Sequence, residues 1–199
     1  MKPAKSQVKP KTFDITVAQT LAEQPRPELA FHIDQILPKG LYLFAGSPKA
    51  GKSFMILHMC GAIATASEFW GYPTTQSRVL YLALEDTSDS ISRRIQDLKL
   101  DQYDLSKLDI AFDSLGLNSG FDEYVSTYIK EHSYTKLMVI DTFADIRDTL
   151  TGATGNPYFT DKRDMKKLRS ITQSPLSWFS IVTKASTTTP SMLSLVLTV

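Results

Sequence analysis

The eight residues Gly46-Ser47-Pro48-Lys49-Ala50-Gly51-Lys52-Ser53 have the spacing G-x-x-x-x-G-K-[ST], the pattern of a phosphate-binding loop. The flanks supply the context that the pattern requires. Leu41-Tyr42-Leu43-Phe44-Ala45 is a strand-like apolar run before the loop, and Phe54-Met55-Ile56-Leu57-His58-Met59-Cys60 is a helix-like run after it. A polyphosphate needs many donors close together, and the backbone amides of a turning loop supply them. Gly46 and Gly51 are expected to adopt dihedrals that residues with side chains resist and to let phosphates approach the backbone. A helix opening near Gly51 adds free amides and the positive end of its dipole.

This loop predicts a nucleotide site formed by Gly46, Ser47, Pro48, Lys49, Ala50, Gly51, Lys52, Ser53 and Phe54, with ATP and Mg²⁺ as its cofactors. Lys52 would reach the β- and γ-phosphates, and the Ser53 hydroxyl would ligate Mg²⁺.

The 199 residues suffice for one α/β domain with a sizeable core. A net charge of +1 creates no global field that would draw the chain to nucleic acid or to a membrane surface. The single cysteine, Cys60, excludes an internal disulfide and fits a reducing cytoplasm. It falls in the apolar run after the loop and reads as a small buried hydrophobe. The amino terminus has no apolar core of a signal peptide, and residues 54–66 are too short an apolar run to cross a bilayer.

In chain order, residues 1–12, with Lys2, Lys5, Lys9 and Lys11 and no acid up to Lys11, are expected to form a basic, disordered tail, weak nucleic-acid contact being the lesser alternative. Residues 13–40 are a lead-in: a short helix at Thr16–Glu23, a break at Pro25-Arg26-Pro27, and the Pro38-Lys39-Gly40 turn that sets the first core strand. The helix from Lys52 to about Ala66 is apolar nearly all round, which predicts burial. Phe69-Trp70-Gly71-Tyr72-Pro73 closes it in an aromatic turn that either packs or lines a base pocket. Strands are expected at Val79–Leu84, Leu108–Phe112 and Lys136–Ile140. Helices are expected after a cap at Thr87 or Ser88, with Ile91, Ile95 and Leu98 at helical spacing, and at Phe121–Lys130. This alternation predicts a doubly wound, mostly parallel sheet with helices on both faces.

Two carboxylates fall where open α/β sheets bind ligands, at the carboxyl ends of predicted strands. Asp141 follows four apolar residues, in the manner of a Walker B strand, and would hold Mg²⁺ directly or through water. Glu85 ends the strand before it and is the candidate that orients attacking water and accepts its proton. Lys52, Glu85 and Asp141 are the predicted catalytic set, and Ser53 and Asp141 the predicted metal ligands. Asp86 either supports Glu85 or caps the next helix. Arg93 and Arg94 face either the site, a neighbouring subunit or solvent.

Gly46–Ser53, Leu82-Ala83-Leu84-Glu85-Asp86, Arg93-Arg94 and Val139-Ile140-Asp141-Thr142 together resemble the RecA-like ATPases of plasmids and phages, nearest to the RepA-type hexameric replicative helicases. Asn156-x-Tyr158-x-x-Asp161 followed by Leu168-Arg169 resembles that group's segment after the Walker B strand. The resemblance runs from about Phe31 to Ile171. It implies a RecA-like ATPase core at residues 41–173, Glu85 as catalytic base, a homo-oligomeric ring, an arginine finger from a neighbour, and DNA as partner. No basic aromatic patch speaks independently for DNA.

After residue 173 the chain departs from that pattern. Ser174-Pro175-Leu176-Ser177-Trp178-Phe179-Ser180 and Ser186-Thr187-Thr188-Thr189-Pro190-Ser191 are Ser- and Thr-rich, no His follows His132, and the family's final strands and arginine finger are expected to be missing. The fold is therefore expected to be incomplete at the C-terminus, with 174–199 an atypical segment read out of frame. Regrouped codons permit Phe-Asn-Ala-Ile-Ser-Gly-Thr-Asp-Gly across Pro190–Thr198 and a His across Ser180 and Ile181. Stop codons in that regrouped frame would end this idea. The function that follows is an ATP-hydrolysing domain working on DNA in the cytoplasm, away from membranes. The alternatives are a regulatory module that binds nucleotide without turnover, or a P-loop kinase of a small molecule.

Overall fold

Apolar runs without alternation form inner strands, because helices cover both of their faces. The computed structural model describes residues 15–25, 29–147, 157–172, 180–186 and 194–198. Its elements in chain order are α1 (Ala18–Ala22), β1 (Phe31–Ile33), β2 (Leu37–Pro38), β3 (Leu41–Gly46), α2 (Lys52–Thr65), β4 (Arg78–Ala83), α3 (Ser88–Asp97), β5 (Leu108–Ala111), α4 (Phe121–Glu131), β6 (Thr135–Asp141), α5 (Phe143–Ile146), α6 (Pro157–Thr172), β7 (Ser180–Ser186) and β8 (Ser194–Thr198), with one 3₁₀ turn at Leu100–Gln102. The expected Pro-Arg-Pro break at 25–27 and Asn156 lie partly or wholly outside the described residues, as do 1–14.

Six strands form one sheet in the order β5-β4-β6-β7-β3-β8, and β1 pairs separately with β2. All neighbours in the large sheet are parallel except β8, which runs antiparallel to β3. Side-chain alternation divides the core in two. On one face Val79, Tyr81 and Ala83 of β4 and Leu137 and Val139 of β6 pack with α2 and with Ile91 of α3. On the other, Leu80, Leu82, Met138 and Ile140 pack with Phe121 and Val125 of α4, Ile146 of α5 and Leu168 of α6. Each fully buried Leu or Ile contributes about 1.5–3 kcal/mol, so the two-sided burial of β4 and β6 makes them the stability centre.

The fold class is the expected doubly wound, mostly parallel sheet with helices on both faces. After residue 173, where the sequence reading expects the family's final strands to be missing, the chain adds β7 and β8 to the sheet. β7 sits inside the sheet, with Leu41↔Ile181 to Gly46↔Ser186 on one side and Leu137↔Ser180 to Ile140↔Thr183 on the other. The physical reason is that β3 and β6 would each leave an unpaired edge of amides and carbonyls. Ile181-Val182-Thr183 is a β-branched run, a sequence of high strand propensity. Smaller differences are that β5 stops at Ala111, leaving Phe112 exposed, and that α1 buries none of its residues.

Candidate nucleotide site

The loop between β3 and α2 takes its shape from two residues in the left-handed region, Lys49 (φ 61°) and Gly51 (φ 78°). Gly51 is the N-cap residue of α2, and a Cβ there would meet no atom within 4 Å, so glycine is required by its dihedral rather than by space. Gly46 differs from the sequence expectation: it is the last residue of β3, paired with Ser186. Lys52 is the first residue of α2 and is buried. Its Nζ donates to the carbonyls of Gly46 and Ser47, both at 2.6 Å, which folds the ammonium over the loop. The first turn of α2 carries no acid, so its amide dipoles stay uncompensated.

A cleft of about 380 Å³ opens over this loop. Pro48, Lys49, Gly51, Lys52, Ser53 and Phe54 line one side, and Glu85 and Arg94 come from the segment after β4. Ala50 is an exposed part of the same turn, its amide donating to the Ser47 carbonyl at 3.4 Å. Glu85 is exposed and stands one residue beyond Leu84, whose amide donates to the Asp141 carbonyl at 2.8 Å. With Ala83 and Asp141 paired in register, the tips of β4 and β6 are fixed side by side.

Asp141 is not a lining residue of that cleft. It is 1% exposed, on the sheet face covered by α2, and its Oδ2 accepts from the Tyr81 hydroxyl at 2.9 Å. Burial, then the Asp141 charge, pushes the Tyr81 phenol well above its ordinary range. The same two causes raise the thiol of Cys60, which is fully buried, in keeping with the inert reading of this cysteine. The Asp141–Thr142 peptide is cis, and Thr142 with Asp145 forms a capping box that starts α5.

Ser53 at the start of α2 and Asp141 on the face beneath it are hard oxygen donors, the type Mg²⁺ takes. Among the described residues no group of three or more His, Cys, Asp and Glu could hold a metal by itself. A donor set of one hydroxyl and one carboxylate suits an ion that keeps waters and shares phosphate oxygens, so these residues fit Mg²⁺.

Thr87, not Asp86, caps α3, its side chain accepting from the Ser90 amide at 3.3 Å. Asp86 instead binds the Arg94 guanidinium in bidentate fashion, at 2.6 and 2.8 Å. Arg93 is exposed and turns its Nε to the Asp89 carbonyl. Sequence reasoning left Arg94 undecided and missed Tyr81. The β4–β6 register, which sets Tyr81 beside the Asp141 strand, could have found the latter. In the aromatic turn Phe69 is buried and stacks on the exposed Trp70 at 4.5 Å; neither lines the cleft.

A family model described as an AAA domain matches residues 4–165. No protein with a curated functional description matches. Among solved structures, the ATPase domain of G40P matches with a TM-score of 0.53 and 12% identity, over 74% of this chain and 57% of that one. The likeness concerns the fold, and the chain spans little more than half the length of that structure. Among the described residues no helix is long and apolar enough to cross a membrane.

Proposed function

This chain belongs to the AAA-domain family, and on that premise we propose that it binds ATP with Mg²⁺ and hydrolyses the γ-phosphate. The observation that carries the reading is that the P-loop and Glu85 line the same cleft. Loop amides and the N-terminus of α2 would bind the phosphates. Lys52 would leave the Gly46 and Ser47 carbonyls for the β- and γ-phosphate oxygens, exchanging two neutral acceptors for charged ones. Ser53 and Asp141 would hold Mg²⁺, which neutralises phosphate charge when bound. Tyr81 would keep the Asp141 carboxylate in one orientation. Glu85, exposed at the mouth of the cleft, would orient water in line with the γ-phosphate and take its proton.

DNA as partner and assembly into a ring are part of the same proposal and are supported by the resemblance to RepA-type replicative helicases. The test is phosphate release from ATP by the purified chain, with and without single-stranded DNA, in each oligomeric fraction. Release that rises with DNA supports the full reading. Release indifferent to DNA in every fraction removes the DNA partner. Transfer of phosphate to a small molecule instead of water contradicts hydrolysis.

A further inference from the structure

We propose that Arg94 binds the terminal phosphate of a nucleoside triphosphate from within the same chain, as a cation fixed in place before nucleotide arrives. The proposal rests on the reading of the cleft as a nucleoside triphosphate site. Arg94 lines that cleft together with Lys52, Ser53 and Glu85. Its guanidinium is held from two directions. Nη1 and Nη2 donate to the Asp86 carboxylate at 2.6 and 2.8 Å, and Cζ lies 6.0 Å from the centroid of the Phe54 ring. Asp86 is itself steadied by the Ser90 hydroxyl, which donates to Oδ1 at 3.1 Å.

Ser90 and Arg94 lie four apart on α3 and share one face, and Asp86, just before the helix, meets both. The Arg94 side chain is 23% exposed and that of Asp86 12%, so the pair is partly desolvated yet open to the cleft. A guanidinium has five N–H groups; Asp86 takes two, and the rest remain for phosphate oxygens, whose geometry the planar fork matches. A free surface arginine loses rotamer entropy when it binds, and here Asp86 and Phe54 have already removed much of that freedom. On that reading the loop amides would grip the inner phosphates, and Glu85 and Arg94, both from the segment after β4, would stand with Lys52 at the terminal one. Arg94 should therefore separate triphosphate from diphosphate.

The experiment measures binding of ADP and of a β,γ-imido ATP analogue by calorimetry, using the whole chain, Arg94→Ala, Arg94→Gln and Arg94→Lys. Arg94→Gln keeps part of the stem over Phe54 and removes the charge. The expected result is ADP affinity within about twofold of the parent and analogue affinity lower by roughly tenfold or more, partly restored in Arg94→Lys. Asp86→Asn should weaken the analogue in the same direction. An unchanged ratio of the two affinities in Arg94→Gln, with melting like the parent's, overturns the inference while leaving the nucleotide site intact. Failure of the parent chain to bind either nucleotide overturns both.

Discussion

The Tyr81 hydroxyl and Asp141 Oδ2 are 2.9 Å apart, joining β4 to β6 on the face that α2 covers. Both residues are almost fully buried, so this hydrogen bond carries a charge away from bulk water. Tyr81→Phe keeps the ring and deletes the donor. We expect a loss of about 1–3 kcal/mol in unfolding free energy, because a buried carboxylate loses a partner. Urea titration of the two proteins checks it. A higher Mg²⁺ concentration for half-maximal nucleotide binding should accompany the loss, since Asp141 would be less well oriented.

Gly51 holds φ at 78° with open space where a Cβ would stand. Gly51→Ala should therefore cost roughly 1–2 kcal/mol through backbone strain alone, without a packing defect. Thermal melting reports the strain, and nucleotide affinity should fall further than stability, because the loop's amides are re-aimed. An alanine variant as stable as the parent contradicts the left-handed assignment.

His32 is buried in β1, and burial followed by the nearby Lys39 charge lowers its imidazole to about 4. The folded protein therefore keeps His32 neutral while the unfolded chain protonates it near 6.5. The neutral-state stability is fully present above pH 6.5 and is lost as pH falls from 6.5 towards 4. The window is worth about 3 kcal/mol by proton linkage. His32→Gln should lose less stability than the parent between pH 7 and pH 4, measured by urea unfolding at each pH. Parallel losses in both proteins would show that His32 does not titrate differently on folding.

The parts of the site legible in the sequence are those fixed by local chain. Strand, loop and helix around residues 46–53 follow from neighbours within a few positions, as does the Thr87 cap. Glu85 was legible because it directly follows a continuous apolar strand. The Tyr81–Asp141 bond spans sixty positions and depends on the β4–β6 register, which apolar periodicity does not specify when both faces are buried. Arg94 against Arg93 is a matter of helix rotation, decided by Asp86 and Phe54. β7 and β8 were missed because serines and threonines dilute the apolar contrast that marks β4 and β6. Their place in the sheet comes from edges left by strands far away in sequence.

The P-loop and Glu85 are proposed to form one hydrolytic site. The most direct measurement pairs nucleotide affinity with phosphate release for the parent, Lys52→Ala and Glu85→Gln, under the conditions where the parent is most active. We predict that Lys52→Ala loses affinity for ATP, and that Glu85→Gln binds ATP as the parent does but releases phosphate about 10²–10⁴-fold more slowly. Glu85→Gln turning over at the parent's rate would contradict it.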